Sequence, residues 1–191
     1  MAIISTRPSI ALVKTRWRKK GPRPLADRAG VIGANLWKIA LEIYRHLEGE
    51  GFRFTSDRMV TNVLAELIAF LVPLVDRAVY GHLSDEDRAT LLGETGRHLA
   101  ATMENNQLDL LGPGDYRGPF IDLLNERGDA YARLEYREGE PGFACLRYFA
   151  ERVAEAMAPA GNKWVVEQMM EIEAPEMVRL VRKLVDQVAK G

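Results

Sequence analysis

The chain has a single cysteine and three histidines among 191 residues. One cysteine excludes an internal disulfide, and the four side chains together are too few for any zinc-finger spacing. Sixteen glycines and nine prolines exclude a collagen-like or linker-dominated chain. The richest apolar run, Leu67 to Val75, is nine residues long, whereas a membrane span needs about 20. The opening Met1–Ile4 meets Arg7 and Pro8 too soon for the apolar stretch of a signal peptide. No alternating β-branched run, internal repeat or low-complexity segment occurs. The motifs Gly-x-Gly-x-x-Gly, the P-loop, Gly-x-Ser-x-Gly and His-Glu-x-x-His are absent as well. These absences lead to the expectation of a cytoplasmic protein with no membrane span, no catalytic residue, no metal and no cofactor.

What is present is the balance of a globular protein, 47% apolar and 28% charged. Charge is unevenly spread. Residues 1–28 hold eight Lys/Arg against one acid, net +7, and the remainder holds 18 basic against 26 acidic residues, net −8. Pro8, Gly21, Pro22 and Pro24 make the first stretch a poor helix. The expected organisation is a basic arm over 1–28 followed by a helical domain over 29–191.

The domain reads as helices throughout. Leu36, Ala40, Ile43 and Leu47 recur at helical spacing, and Gly49-Glu-Gly51 ends that helix. Ser56 or Asp57 caps the next, which is apolar around most of its circumference, interrupted by Pro73, and therefore central. Ser84-Asp-Glu-Asp87 caps a third helix; Gly93 and Gly96 would let a neighbour approach, and Asn105-Asn106 begins its decay. A fourth follows Asp115 as N-cap, with Tyr116, Phe120, Leu123, Leu124, Tyr131 and Leu134 in one arc. Arg137–Gly142 is read as a loop before a fifth, with an inner stripe of Phe143, Leu146, Ala150, Val153 and Met157 that leaves Cys145 aside. The last segment starts at Trp164 with Met169, Met170 and Ile172, and Pro175 marks a kink or a new start. The fold class is all-α: a single-domain helical bundle of about six helices with a basic N-terminal arm.

Few residues hint at a site. Arg127 falls inside the apolar arc of the fourth helix, and burial of a guanidinium demands an anionic partner. Glu66, almost alone among apolar neighbours, is the expected partner in a structural ion pair. The functional counterpart is a ligand cavity formed by Arg127, Glu66, His98, Glu94 and Tyr131. Glu42/His46 and Glu94/His98 share helical faces at i, i+4, but the Glu-x-x-His spacing of di-iron bundles is missing. Glu167, Glu171, Glu173 and Glu176 read as a solvated acidic face, with a cation site or a dock for the arm residues Arg16, Arg18, Lys19 and Lys20 as the alternatives. The functional expectation is a non-enzymatic protein-interaction or assembly module, partnered by itself as a homodimer or by another protein. A small-molecule or metal-binding helical protein is the alternative, and a nucleic-acid role for the arm is a third.

Overall fold

The computed structural model describes residues 24–189. Arg16, Arg18, Lys19 and Lys20 lie outside the described residues. The architecture is all-α. Helices α1 (Leu25–Gly49), α2 (Asp57–Val79), α3 (Asp85–Leu111), α4 (Arg117–Ala132) and α5 (Phe143–Met157) are followed by a short α6 (Val165–Gln168), a π-helical turn (Met169–Glu173) and α7 (Ala174–Ala189).

Local signals fix most boundaries. The Ser56 side chain accepts from the Met59 N–H at 3.2 Å and the Ser84 side chain from the Asp87 N–H at 3.1 Å, each satisfying an orphan donor of a first helical turn. Gly51, at φ +88, takes the left-handed conformation after α1. Helix α2 is the hub: it packs on α1, α3, α4, α5 and α7, as its nearly unbroken apolar circumference requires. Among the described residues it is the one helix long and apolar enough to cross a membrane, yet 78% of its most apolar window is buried within the bundle. Where α2, α4 and α5 meet, Phe70 stacks on Phe149 with centroids 4.0 Å apart and lies 5.6 Å from the Tyr131 ring. Helices α1 and α7 run in opposite directions. The Arg28 guanidinium approaches the Val188 carbonyl at one end, and His46 meets Glu173 at the other.

Several sequence expectations are corrected. Helix α3 continues past Asn105-Asn106 to Leu111, because the Asn106 amide donates back to the Thr102 carbonyl at 2.8 Å instead of competing with the helix. Gly93 and Gly96 meet no packed neighbour; the glycine that permits close contact is Gly33 of α1, where an added Cβ would sit 2.7 Å from the His98 ring. Helix α4 starts from Tyr116 without a side-chain cap, so Asp115 is not its N-cap. The inner face of α5 is rotated from the expected stripe: Cys145, Phe149, Ala150, Val153 and Met157 are buried, and Phe143 is 69% exposed. The loop before α5 holds a small antiparallel hairpin, β1 (Tyr136–Arg137) and β2 (Glu140–Pro141), turned by Glu138 and Gly139 at φ +53 and +80.

The stacked pair Phe70–Phe149 ties the hub to α5. Truncating either ring to alanine is expected to cost about 3–5 kcal/mol, read from urea denaturation midpoints. The double variant should lose less than the two losses added, because each ring is the other's partner.

Candidate functional site

The Arg127 guanidinium reaches Glu66 with two donors, Nε to Oε2 and Nη2 to Oε1, each at 2.9 Å, while Nη1 donates to Glu126 at 2.6 Å. The Arg127 and Glu66 side chains are 12% and 8% exposed. Two parallel bonds satisfy the planar fork of the guanidinium, so burial leaves little of it unpaired. The Glu66 hydrogen bonds raise the Arg127 pKa further above its already high value. Tyr131 lies beside this pair, fully buried, with its hydroxyl unpartnered among the described residues. Burial first, and the Glu66 charge second, push that hydroxyl well above its usual range, so it stays protonated.

The five residues named for a ligand cavity do not lie around one cavity. A cleft of about 150 Å³ opens beside Pro73, walled by Tyr131, Leu124 and Gly128, but neither Arg127 nor Glu66 belongs to its wall. His98 and Glu94 are elsewhere, on α3: the His98 ring is exposed and covers Gly33, and Glu94 accepts from Arg97 Nε at 3.2 Å. The five residues are therefore a buried ion pair with a tyrosine and, separately, two surface groups at the α1–α3 contact. Removing one member of the pair, as in Arg127→Met, strands a buried carboxylate and is expected to cost about 3–5 kcal/mol. Adding Glu66→Leu to that variant should restore most of the loss in the same denaturation assay.

A second buried carboxylate escaped the sequence. Glu173, 1% exposed, accepts from Gln168 Nε2 at 2.8 Å and lies 2.7 Å from His46 Nδ1. The π turn makes this contact: its i→i+5 bonding carries Gln168 over Glu173, five residues on. Pro175 is the sequence signal for it. A proline lacks the N–H that an α-helix would aim at the Glu171 carbonyl, and its ring crowds that carbonyl; a widened turn absorbs both effects. His46 thus pairs with Glu173, and through Nε2 with Glu50 at 3.6 Å, and not with Glu42. The Glu173 hydrogen bond, followed by its charge, raises the His46 pKa above 6.5. The folded state then favours the imidazolium. Its stabilisation is complete below about pH 6.5 and fades as pH rises through the raised folded value. His46→Gln should lower the melting temperature at about pH 6 and leave it unchanged at about pH 9.

The same turn shapes the surface. Glu167 and Glu171 face solvent, with Trp164 72% exposed and Ile172 51% exposed. Trp164 holds a left-handed backbone at φ +63, a strained conformation for a bulky residue. It also lines a shallow cleft of about 340 Å³ with Arg53, Asn162, Lys163 and Gln168. Asn162 clamps that cleft, accepting from the Arg53 N–H at 2.9 Å and donating to the Arg53 carbonyl at 2.8 Å. Cys145 is buried and donates toward the Tyr136 hydroxyl at 3.4 Å. Burial pushes its thiol up, away from the thiolate that nucleophilic chemistry uses. No family model, curated protein or solved structure matches the chain.

Proposed function

We propose that the chain is a non-enzymatic interaction module that assembles with a second copy of itself. The observation that carries this reading is the exposed stretch from Trp164 to Ile172, where both apolar side chains stand in solvent with Glu167 and Glu171 exposed between them in the chain. Large apolar side chains in water favour burial against a partner, and tryptophan is a common anchor of such contacts. The acidic flank selects for a basic partner, and the sequence itself contains one: residues 1–28, net +7. A second copy therefore brings the complement of this face, and the contact would be steered by opposite charge. The interior adds support from the other side. Its charged groups Glu66, Arg127 and Glu173 are occupied by one another or by His46 and Gln168, and its thiol is protonated by burial.

Sedimentation velocity of the full chain tests this reading. A concentration-dependent dimer is expected, weakening as salt rises from about 0.1 to 0.5 M. Ile172→Glu with Trp164→Gln should leave a monomer of unchanged melting temperature. A strict monomer at every concentration would overturn the proposal, and salt-sensitive binding of a DNA duplex by that monomer would move the basic stretch to a nucleic-acid role.

A further inference from the structure

A groove of about 270 Å³ runs between α2 and α7 beneath the β1–β2 hairpin. Its apolar part is made by Leu74, Val178 and Val181, and its charged part by Arg77, Glu138, Asp186 and Arg182, the last already paired with Glu140. The side chains of Arg77, Glu138 and Asp186 have no ion-pair or hydrogen-bond partner among the described residues. Arg77 is half-buried and only stacks on the Tyr136 ring, its guanidinium carbon 4.6 Å from the centroid. This is the opposite of Arg127, whose charge is answered inside the fold.

Glu138 is out of place for its turn. Two-residue hairpin loops with positive φ at both positions favour Asn-Gly or Asp-Gly. Here Glu138 at φ +53 precedes Gly139 at φ +80. A longer acid in the left-handed region is a costlier choice, so the turn alone does not account for it. Its position puts a carboxylate at the groove. The hairpin is pinned there by Arg182 of α7, which pairs with the Glu140 carboxylate and approaches the Glu138 carbonyl at 3.5 Å.

We propose that this groove binds a free α-amino acid with an aliphatic side chain. Arg77 would take the α-carboxylate, for which its planar fork is suited. Asp186 and Glu138 would take the α-ammonium group, and Leu74, Val178 and Val181 would cover the side chain. A simple anion would meet two repelling carboxylates, and a simple cation would meet Arg77 and Arg182; a zwitterion answers both signs at once. The valines supply apolar area but no hydrogen-bond partner, which favours aliphatic side chains over polar ones. This site shares no residue with the Trp164 face and does not depend on self-association.

Isothermal titration calorimetry on the full chain tests it, with L-leucine as the probe and glycine, 4-methylpentanoate and 3-methylbutylamine as its truncated forms. Leucine is expected to bind in the millimolar range or tighter, with each truncated form at least about tenfold weaker. Asp186→Asn, an exposed change that leaves the core intact, should weaken leucine by about tenfold at an unchanged melting temperature, and Arg77→Gln should do the same or more. Absence of any heat with leucine would overturn the proposal. So would equal affinity for leucine and 4-methylpentanoate, since the ammonium group would then contribute nothing.

Discussion

A carboxylate withdrawn from water must find its counter-charge or its donors inside the protein, and this bundle is organised around two that do. Glu66 sits on the central helix and Glu173 at the head of the last one. Each is answered by a residue far away in sequence: Arg127 by 61 positions and His46 by 127. Apolar packing brings α2, α4 and α5 together without fixing how one helix is rotated or slid against another. A bidentate ion pair does fix it, because a shift of about one helical step, 1.5 Å, would break both bonds at once. Glu66–Arg127 sets α4 on α2, and Glu173–His46 sets the π turn on α1. The two pairs differ in what they tolerate. A guanidinium keeps its charge at any ordinary pH, whereas the imidazole can lose its own. The α1 contact therefore weakens as the imidazole loses its proton, a loss the guanidinium of the α4 contact does not share.

The helical period made the fold class legible. The Ser56 and Ser84 caps, the glycine stop at Gly51, the central placement of α2 and the partnership of Arg127 with Glu66 were all readable from residue types and spacing. What stayed hidden follows from the same method. A regular period puts Ile172 in line with Val165 and Met169 and leaves Glu173 among the surface acids. The π turn exchanges them, sending Ile172 outward and Glu173 inward. Only Pro175 hinted at a disturbance, and it did not say which side chains would trade places. The rotated inner face of α5 has a similar origin: Phe143 lies in the first turn, where the bundle no longer covers it, and the stripe drawn from it is displaced toward Leu146 and away from Cys145. The short hairpin carried no period to read, since each strand is two residues long.

The charged residues sort by how the fold treats them. Glu66, Arg127 and Glu173 are buried and paired within the chain. Surface pairs such as Arg147–Glu151 link neighbouring turns of one helix and contribute little. Arg77, Asp186 and Glu138 belong to neither group, because they surround one groove with no mutual pairing. The ligand reading expected at Arg127 was motivated by a buried guanidinium. Burial alone is an ambiguous signal, because the Arg127 guanidinium, 12% exposed, is already answered by Glu66 and Glu126. One that is half enclosed and open to a groove keeps donors available for something else.

The π turn joins the remaining features into one chain of cause. Pro175 disfavours a regular helix at Glu171; the widened turn that results puts Glu173 where His46 can reach it and turns Ile172 into solvent. An inserted turn of this kind sacrifices regular hydrogen bonding and exposes apolar area, both unfavourable for an isolated chain. The His46–Glu173 contact offsets part of that cost locally. Contact with a partner, as proposed above, would offset the exposed part. The His46–Glu173 contact and the exposure of Ile172 are thus two sides of one backbone irregularity, and a change that made residues 169–173 regularly α-helical would remove both.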